Sequence, residues 1–446
     1  MSSRARLAIG AGVTLLSIVV VAIVLLRGRS DATAVEPTAT PTALATSPPP
    51  TASHASSTPS AGASASTRPT RSGGDDELDP ETARVFARIE EEVIDIRGLE
   101  RADIGRPDIL SRDELADELI ADFEHDYSAD ERHADNVTLR AMGLLDADED
   151  IAELQLALLE GRILGFYDED ERRMAIVSDA GLTAEAQRTY AHEYTHALQD
   201  QAFDLNSLDL DVEGDDDGAT ARLAVVEGDA MITMYQWAAT YLRPDAAAPG
   251  DSGGDDAPPV EIPGFLEQSL FFPYTYGTDF VAALHDQRGY DAVDAAFGDP
   301  PESTEQIVHP NDYFDDEQPV DVSLPDLAAA LGEDWEQVES TPIGEAFLTT
   351  TLDDIGADRG SAEAAAAGWG GDHLVVAAGP DDAFALAWRL AWDTPADAAE
   401  FASLYGSLAT DLGVPARVID LDDGTVLVAQ ASSADLVERV VEIAGG

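Results

Sequence analysis

At 446 residues the chain is long enough for two or three domains, each with its own core. With 88 acidic against 25 basic residues, all Arg, its formal charge is −63, which excludes nucleic acid and anionic membrane surfaces as partners. Cysteine is absent, so disulfides, thiolate metal sites, a Cys nucleophile and lipid attachment at a lipobox are excluded as well. The acidic residues are spread along the chain and not gathered in one tail, which fits a salt-adapted proteome better than a cation-collecting function.

Leu7 to Leu26 is an apolar run preceded by Arg4 and Arg6, long enough to cross a bilayer. Ala32-Thr33-Ala34 has a cleavage-site form but stands well downstream of the run, so residues 1–29 read as a retained transmembrane anchor or signal. Residues 30–78, mostly Ala, Ser, Thr and Pro with almost nothing large and apolar, cannot bury enough surface to offset their ordering entropy and read as a disordered stalk. This expects a single-pass cell-membrane protein with its C-terminal domains outside, or one secreted after signal cleavage.

Helical spacing begins at Pro80 to Leu99, with Val85, Phe86, Ile89, Val93 and Ile96 on one stripe. Ser111 to Tyr127 is a second helix, capped by Ser111 and facing inward through Leu115, Leu119, Ile120 and Phe123. Arg162 to Tyr167, an acidic turn, and Arg173 to Val177 form a β-hairpin. Its edge could hold an extended peptide by main-chain hydrogen bonds. Thr183 then caps the helix on which the chemistry rests.

That helix carries Tyr190 to Gln201, and within it His192-Glu193-Tyr194-Thr195-His196. Residues four apart share a helix face, so both imidazoles can meet one ion while Glu193 stands beside it to move a proton. A catalytic zinc needs a third protein ligand and an open position. Glu227, inside the apolar helix Thr220 to Leu242, is the candidate, because a carboxylate in such a segment must be paired, exposed or bound to a cation. Asp229 is a candidate to orient a ligand His, and Asp200 a weaker one; Gln199 and Asp200 read equally as helix-end polar groups.

These strings, with Val226-Glu227-Gly228-Asp229-Ala230 and Pro301-Glu302-Ser303-Thr304-Glu305-Gln306-Ile307-Val308-His309-Pro310, resemble the gluzincin type of zincin-like metallopeptidases. Within that superfamily they are similar to an uncharacterised membrane-anchored group of bacterial and haloarchaeal proteins. The resemblance spans residue 79 to the C-terminus and implies a zincin-like catalytic domain binding Zn²⁺ through His192, His196 and Glu227. It departs from the best-known gluzincins, which have a longer acidic motif around the third ligand.

Residues 204–217, with Asp209, Asp211, Glu213, Asp215, Asp216 and Asp217, fail the calcium-loop register and read as a solvated acidic linker. Pro244 to Pro263 reads as a flexible surface loop. Phe271 to Gly277 precedes a helix from Asp279, and Tyr276 and His309 are the candidate donors to a tetrahedral oxyanion. Beyond residue 321 come two helical stretches and then a β-β-α-β-β-α order, with a hairpin turn at Asp422-Asp423-Gly424. The expected fold class is therefore α+β: a mainly helical zincin-like domain with a small hairpin or sheet over 79–320, and a C-terminal α+β domain over 321–446. The expected function is a membrane-anchored zinc metallohydrolase acting on a peptide or protein substrate, with Glu193 as the acid/base. The alternative is a zincin-derived, non-catalytic surface binding or assembly module.

Overall fold

Capping chemistry in the sequence sets the first helices. Asp79 accepts from the Glu81 and Thr82 N–H groups to start α1 (Pro80–Arg97), which buries Phe86, Ile89 and Val93. Full capping boxes, Ser111 with Glu114 and Ser128 with Glu131, start α2 (Arg112–Asp126) and α3 (Ala129–Met142). Then follows α4 (Ile151–Leu159). The computed structural model of the protein describes residues 17–18, 79–159, 163–178, 181–212, 214–242 and 262–445. The expected stalk lies outside these residues, as does nearly all of the loop expected from Pro244.

A small sheet has the order β1-β3-β4-β2, formed by β1 (Ser17–Ile18), β2 (Asp108–Leu110), β3 (Gly165–Asp168) and β4 (Arg173–Val177). The hairpin β3–β4 pairs Phe166 with Ala175, while β2 runs parallel to β4. On the outer edge of β3, β1 pairs antiparallel, Ser17 with Tyr167 and Ile18 with Phe166.

That pairing corrects the anchor reading. Two residues from the middle of the Leu7–Leu26 run are strand and not helix, and the rest of the run lies outside the described residues. A membrane-spanning helix satisfies its backbone within itself, whereas a strand spends those groups on its neighbour. Among the described residues no helix is long and apolar enough to cross a membrane. The expectations of a transmembrane helix, a signal anchor and a single-pass membrane location are withdrawn.

The hairpin leads into α5 (Ala184–Phe203), capped by Thr183, whose hydroxyl accepts from Ala186 N–H at 3.1 Å. Next come α6 (Asp216–Tyr241), α7 (Gly264–Arg288), α8 (Tyr290–Gly298), α9 (Thr304–Val308) and α10 (Pro310–Phe314). One apolar cluster joins Phe86, Ile89 and Val93 of α1 to Tyr190, Tyr194 and Leu198 of α5 and to Tyr167 and Ile176 of the hairpin. A second fills the space between α6, α7 and α8. Thus α5 is gripped by the sheet on one side and by α1 and α6 on others.

The acidic linker ends earlier than the sequence indicates. Asp216 and Asp217 are each 3 % exposed and form the first turn of α6, because hydroxyls of Thr341 and Thr304 and the start of a later helix close over them. The expected break at Phe271 to Gly277 is also absent. Pro273 lies inside α7, and Thr275 and Thr278 hydroxyls bond back to the Phe271 and Tyr274 carbonyls.

After α11 (Leu327–Leu331) a five-stranded antiparallel sheet has the order β5-β6-β7-β9-β8. Its strands are β5 (Glu336–Thr341), β6 (Trp369–Ala378), β7 (Phe384–Trp392), β8 (Ala416–Asp420) and β9 (Val426–Ala431), with α12 (Gly344–Asp354), α13 (Arg359–Ala366), α14 (Pro395–Leu408) and α15 (Ala434–Ala444) between and after them. Side chains alternate across it. Leu374, Val376, Leu386, Trp388 and Val428 face α14 and the helical half, while Val375, Ala377, Ala385, Leu427 and Ala429 face α11 and α15. The chain is α+β.

Candidate metal centre

Three buried side chains converge where α5 meets α6. His192 and His196, one turn apart on α5, place their Nε2 atoms 2.9 Å from each other. Glu227 of α6 brings Oε2 to 3.2 Å from His192 Nε2 and 3.5 Å from His196 Nε2. Among the described residues this is the one group of His, Asp or Glu whose ligand atoms all lie within 4.8 Å of one another. Donors about 2.05 Å from a tetrahedral ion stand about 3.3 Å apart, so the spacing fits a small ion such as zinc between them.

The meeting of helices depends on two glycines. A Cβ on Gly228 would lie 2.1 Å from the Gly277 carbonyl oxygen, and one on Gly277 would lie 2.2 Å from that of Ala224. Backbone contact between α6 and α7 brings Tyr274 onto Glu227, whose Oε1 accepts from its hydroxyl at 3.2 Å. With one oxygen held by Tyr274, the other points to the imidazoles. The Tyr274 ring also lies nearly parallel to His192, 6.4 Å between centroids.

Electrostatics follow from burial and neighbours. Burial first, and the neighbouring imidazole of His196 with it, outweighs Glu227 and lowers His192 to about 4, so its ring is neutral near pH 7. Burial alone would raise Glu227, but the imidazoles, His196 foremost, hold its carboxyl at about 2. Glu193 differs. Its carboxylate is fully buried with no side-chain hydrogen-bond partner, and burial followed by the charge of Glu227 pushes its pKa well above the usual carboxylate range. A hydrogen bond from the Tyr167 backbone on β3 is the opposing influence.

One of the two imidazoles is oriented through a relay. Gln199 Nε2 donates to the Val226 carbonyl at 3.0 Å and to Asp229 Oδ2 at 2.8 Å, so its oxygen faces His196 Nδ1 at 2.8 Å. Nδ1 must then carry the hydrogen, leaving the Nε2 lone pair for a ligand. Behind Asp229 stands Arg97 of α1, 1 % exposed, with Nε 2.8 Å from Asp229 and an amino group 2.6 Å from Asp294.

The sequence-selected residues fall into two groups. His192, His196, Glu193 and Glu227 are together, and Asp229 reaches His196 through Gln199. The others stand elsewhere. Asp200 accepts from Tyr167 OH at 3.0 Å and fastens α5 to the hairpin. Tyr276 receives Arg359 at 3.1 Å, and His309 pairs with Glu345 at 3.1 Å. The hydroxyl beside the triad is that of Tyr274, which donates to Glu227. Its signal was the spacing to Gly277, legible only once Pro273 is allowed inside a helix.

Fold and site define an α+β chain with a buried His-His-Glu triad and a buried glutamate beside it. Residues 333–442 match a sequence family described as a domain of unknown function (DUF8575); the match begins just before β5, ends within α15 and includes none of the triad. No curated protein and no solved structure matches the chain.

Proposed function

We propose that the chain is a zinc metallohydrolase that cleaves peptide bonds, with His192, His196 and Glu227 holding the ion. The observation that carries this reading is the buried Glu193 carboxylate, without a side-chain partner, next to three ligand atoms at zinc-like spacing. A metal that served structure alone would not need such a carboxylate, and leaving one unpaired in a core is costly. When bound, zinc lowers the pKa of a coordinated water to about 7 and polarises the scissile carbonyl.

This chain's residues supply the rest. Glu193 takes the proton of the attacking water and delivers it to the leaving amine, a task suited to a carboxylate that burial makes a stronger base than an exposed one. Tyr274, kept protonated by burial and then by the charges of Glu227 and Glu193, would turn its one hydroxyl hydrogen from Glu227 to the developing oxyanion. The antiparallel pairing of Ser17–Ile18 with β3 supports an extended peptide on that edge, facing Glu193.

The test compares wild type with Glu193→Gln on a mixed peptide library, measuring cleavage and bound zinc together. The variant should keep zinc and fold and lose about 10²–10⁴ in kcat/KM. Equal cleavage by both proteins, or cleavage by neither with zinc bound, would sink the hydrolase reading.

A further inference from the structure

Two residues near the start of the chain occupy an edge beside the triad. Ser17–Ile18, as β1, pairs antiparallel on the outer side of β3, with Ser17 opposite Tyr167 and Ile18 opposite Phe166. In the order β1-β3-β4-β2 no other strand lies on that side of β3. Without β1 the edge would be a row of unpaired N–H and C=O groups, the usual template for an extended peptide.

Register brings this pairing to the reacting groups. A hydrogen bond from the Tyr167 backbone reaches the Glu193 carboxylate, and the residue opposite Tyr167 is Ser17. Leu164, just before β3, packs with Tyr274, Met231 and Met234. A strand laid on β3 therefore runs past the point where the hydrolase reading puts the scissile bond, with Ser17 in register with Glu193. The sequence suits such a strand. Residues 7–26 carry neither a charge nor a proline in a chain of formal charge −63, and Ile18 is followed by Val19, Val20 and Val21, whose β-branches favour extended backbone.

The pairing is also the weakest in its sheet. It joins two residue pairs, against three between β2 and β4 and four between β3 and β4. With it in place the triad is shut: His192, Glu193 and His196 are 0 % exposed and Glu227 is 1 % exposed. An incoming peptide must displace something, and the shortest pairing yields first.

We propose that Ser17–Ile18 is an internal competitor for the substrate edge, holding the centre in a low-activity state until an extended, uncharged peptide displaces it. That it slows peptide hydrolysis rests on the reading above; that it occupies the edge of β3 does not. Covalent attachment presents the segment at an effective concentration of about 1 mM, so a docking constant of about 0.1 mM keeps roughly nine chains in ten closed. The rate is lowered about tenfold and not abolished.

The test reads docking before activity. The full chain carrying Glu193→Gln, in the presence of zinc, is titrated with a fluorescein-labelled peptide of residues 13–22 and followed by anisotropy. The same chain with Ser17→Pro and Ile18→Pro, whose strand has lost two backbone N–H groups, should bind the peptide about tenfold more tightly, with the circular dichroism unchanged. Equal affinity in the two chains, or binding to neither, overturns the proposal. With Glu193 restored, the two prolines should raise kcat/KM on the mixed peptide library about tenfold; equal, measurable cleavage overturns the inhibition. A docking difference with no cleavage by either chain supports the competitor and removes the hydrolase, whereas cleavage at equal rates with equal docking does the reverse.

Discussion

Replacing Arg97 with Met tests whether the relay behind His196 is an energetic unit. The guanidinium is 1 % exposed, 2.8 Å from Asp229 and 2.6 Å from Asp294, and lies 4.6 Å from the Tyr290 ring centroid. Methionine keeps the volume but leaves Asp229 charged and buried, a situation that costs about 3–5 kcal/mol. The Gln199 amide still donates to Asp229 at 2.8 Å, so the lower end, about 3 kcal/mol, is expected. Urea unfolding of the metal-free protein followed by circular dichroism measures this directly. Zinc affinity should fall about 10-fold in the same variant, since Asp229, on which Gln199 is anchored, is no longer held in place by Arg97. Adding Asp229→Asn removes the stranded charge and should restore at least half of the lost stability. A single variant that loses less than about 1 kcal/mol, or a double variant no better than the single, would refute the reasoning.

Three further outcomes follow from the same geometry. Tyr274→Phe keeps the ring against His192 but removes the donor to Glu227; kcat should fall about 10²–10³ with little change in KM, and an unchanged kcat would remove Tyr274 from the chemistry. Gly277→Ala drives a methyl to 2.2 Å from the Ala224 carbonyl and should cost about 3 kcal/mol in urea unfolding. Gly298→Ala, with nothing within 4 Å of the added carbon, should stay within about 0.5 kcal/mol, and equal effects at the two positions would discount the helix contact. Burial first raises Asp217 from 3.8 to about 7, so the folded state holds a proton that the unfolded chain has released. Stability from this group is complete below about pH 4, is lost as pH rises toward 7, and is flat above. Asp217→Asn keeps the acceptor for Thr304 and should flatten the fall between pH 5 and pH 8 by about 3 kcal/mol. A slope identical to wild type would place the charge elsewhere.

What the sequence made legible was local. Ser111, Ser128 and Thr183 cap helices because hydroxyls before acidic first turns satisfy orphan N–H groups, and those signals need no tertiary information. The hairpin before α5 follows from two β-rich runs around an acidic turn, and four-residue spacing sets His192 and His196 on one face. The α+β class was readable from the order of such segments. What was lost depended on contacts between distant segments. Asp216 and Asp217 look like part of a solvated run until Thr341 and Thr304, more than eighty residues away, close over them. Phe271 to Gly277 reads as preceding the helix from Asp279 until α6 packs against this turn and the Thr275 and Thr278 hydroxyls take up the carbonyls around Pro273. β5 was missed because Glu336 to Thr341 is polar and pairs at a sheet edge, leaving little alternation to detect. The Leu7–Leu26 run misled in the other direction, since apolar composition alone does not separate a membrane helix from a strand such as Ser17–Ile18.

The account stands on one ion held between α5 and α6. Zinc content of the dialysed protein, compared between wild type and a folded His192→Ala chain, tests it most directly. The account predicts one zinc per chain fewer in the variant, with X-ray absorption of the lost ion showing two imidazole nitrogens and a carboxylate oxygen at about 2.0–2.2 Å. Equal zinc in both proteins, or a wild type that takes up none when folded, would contradict it.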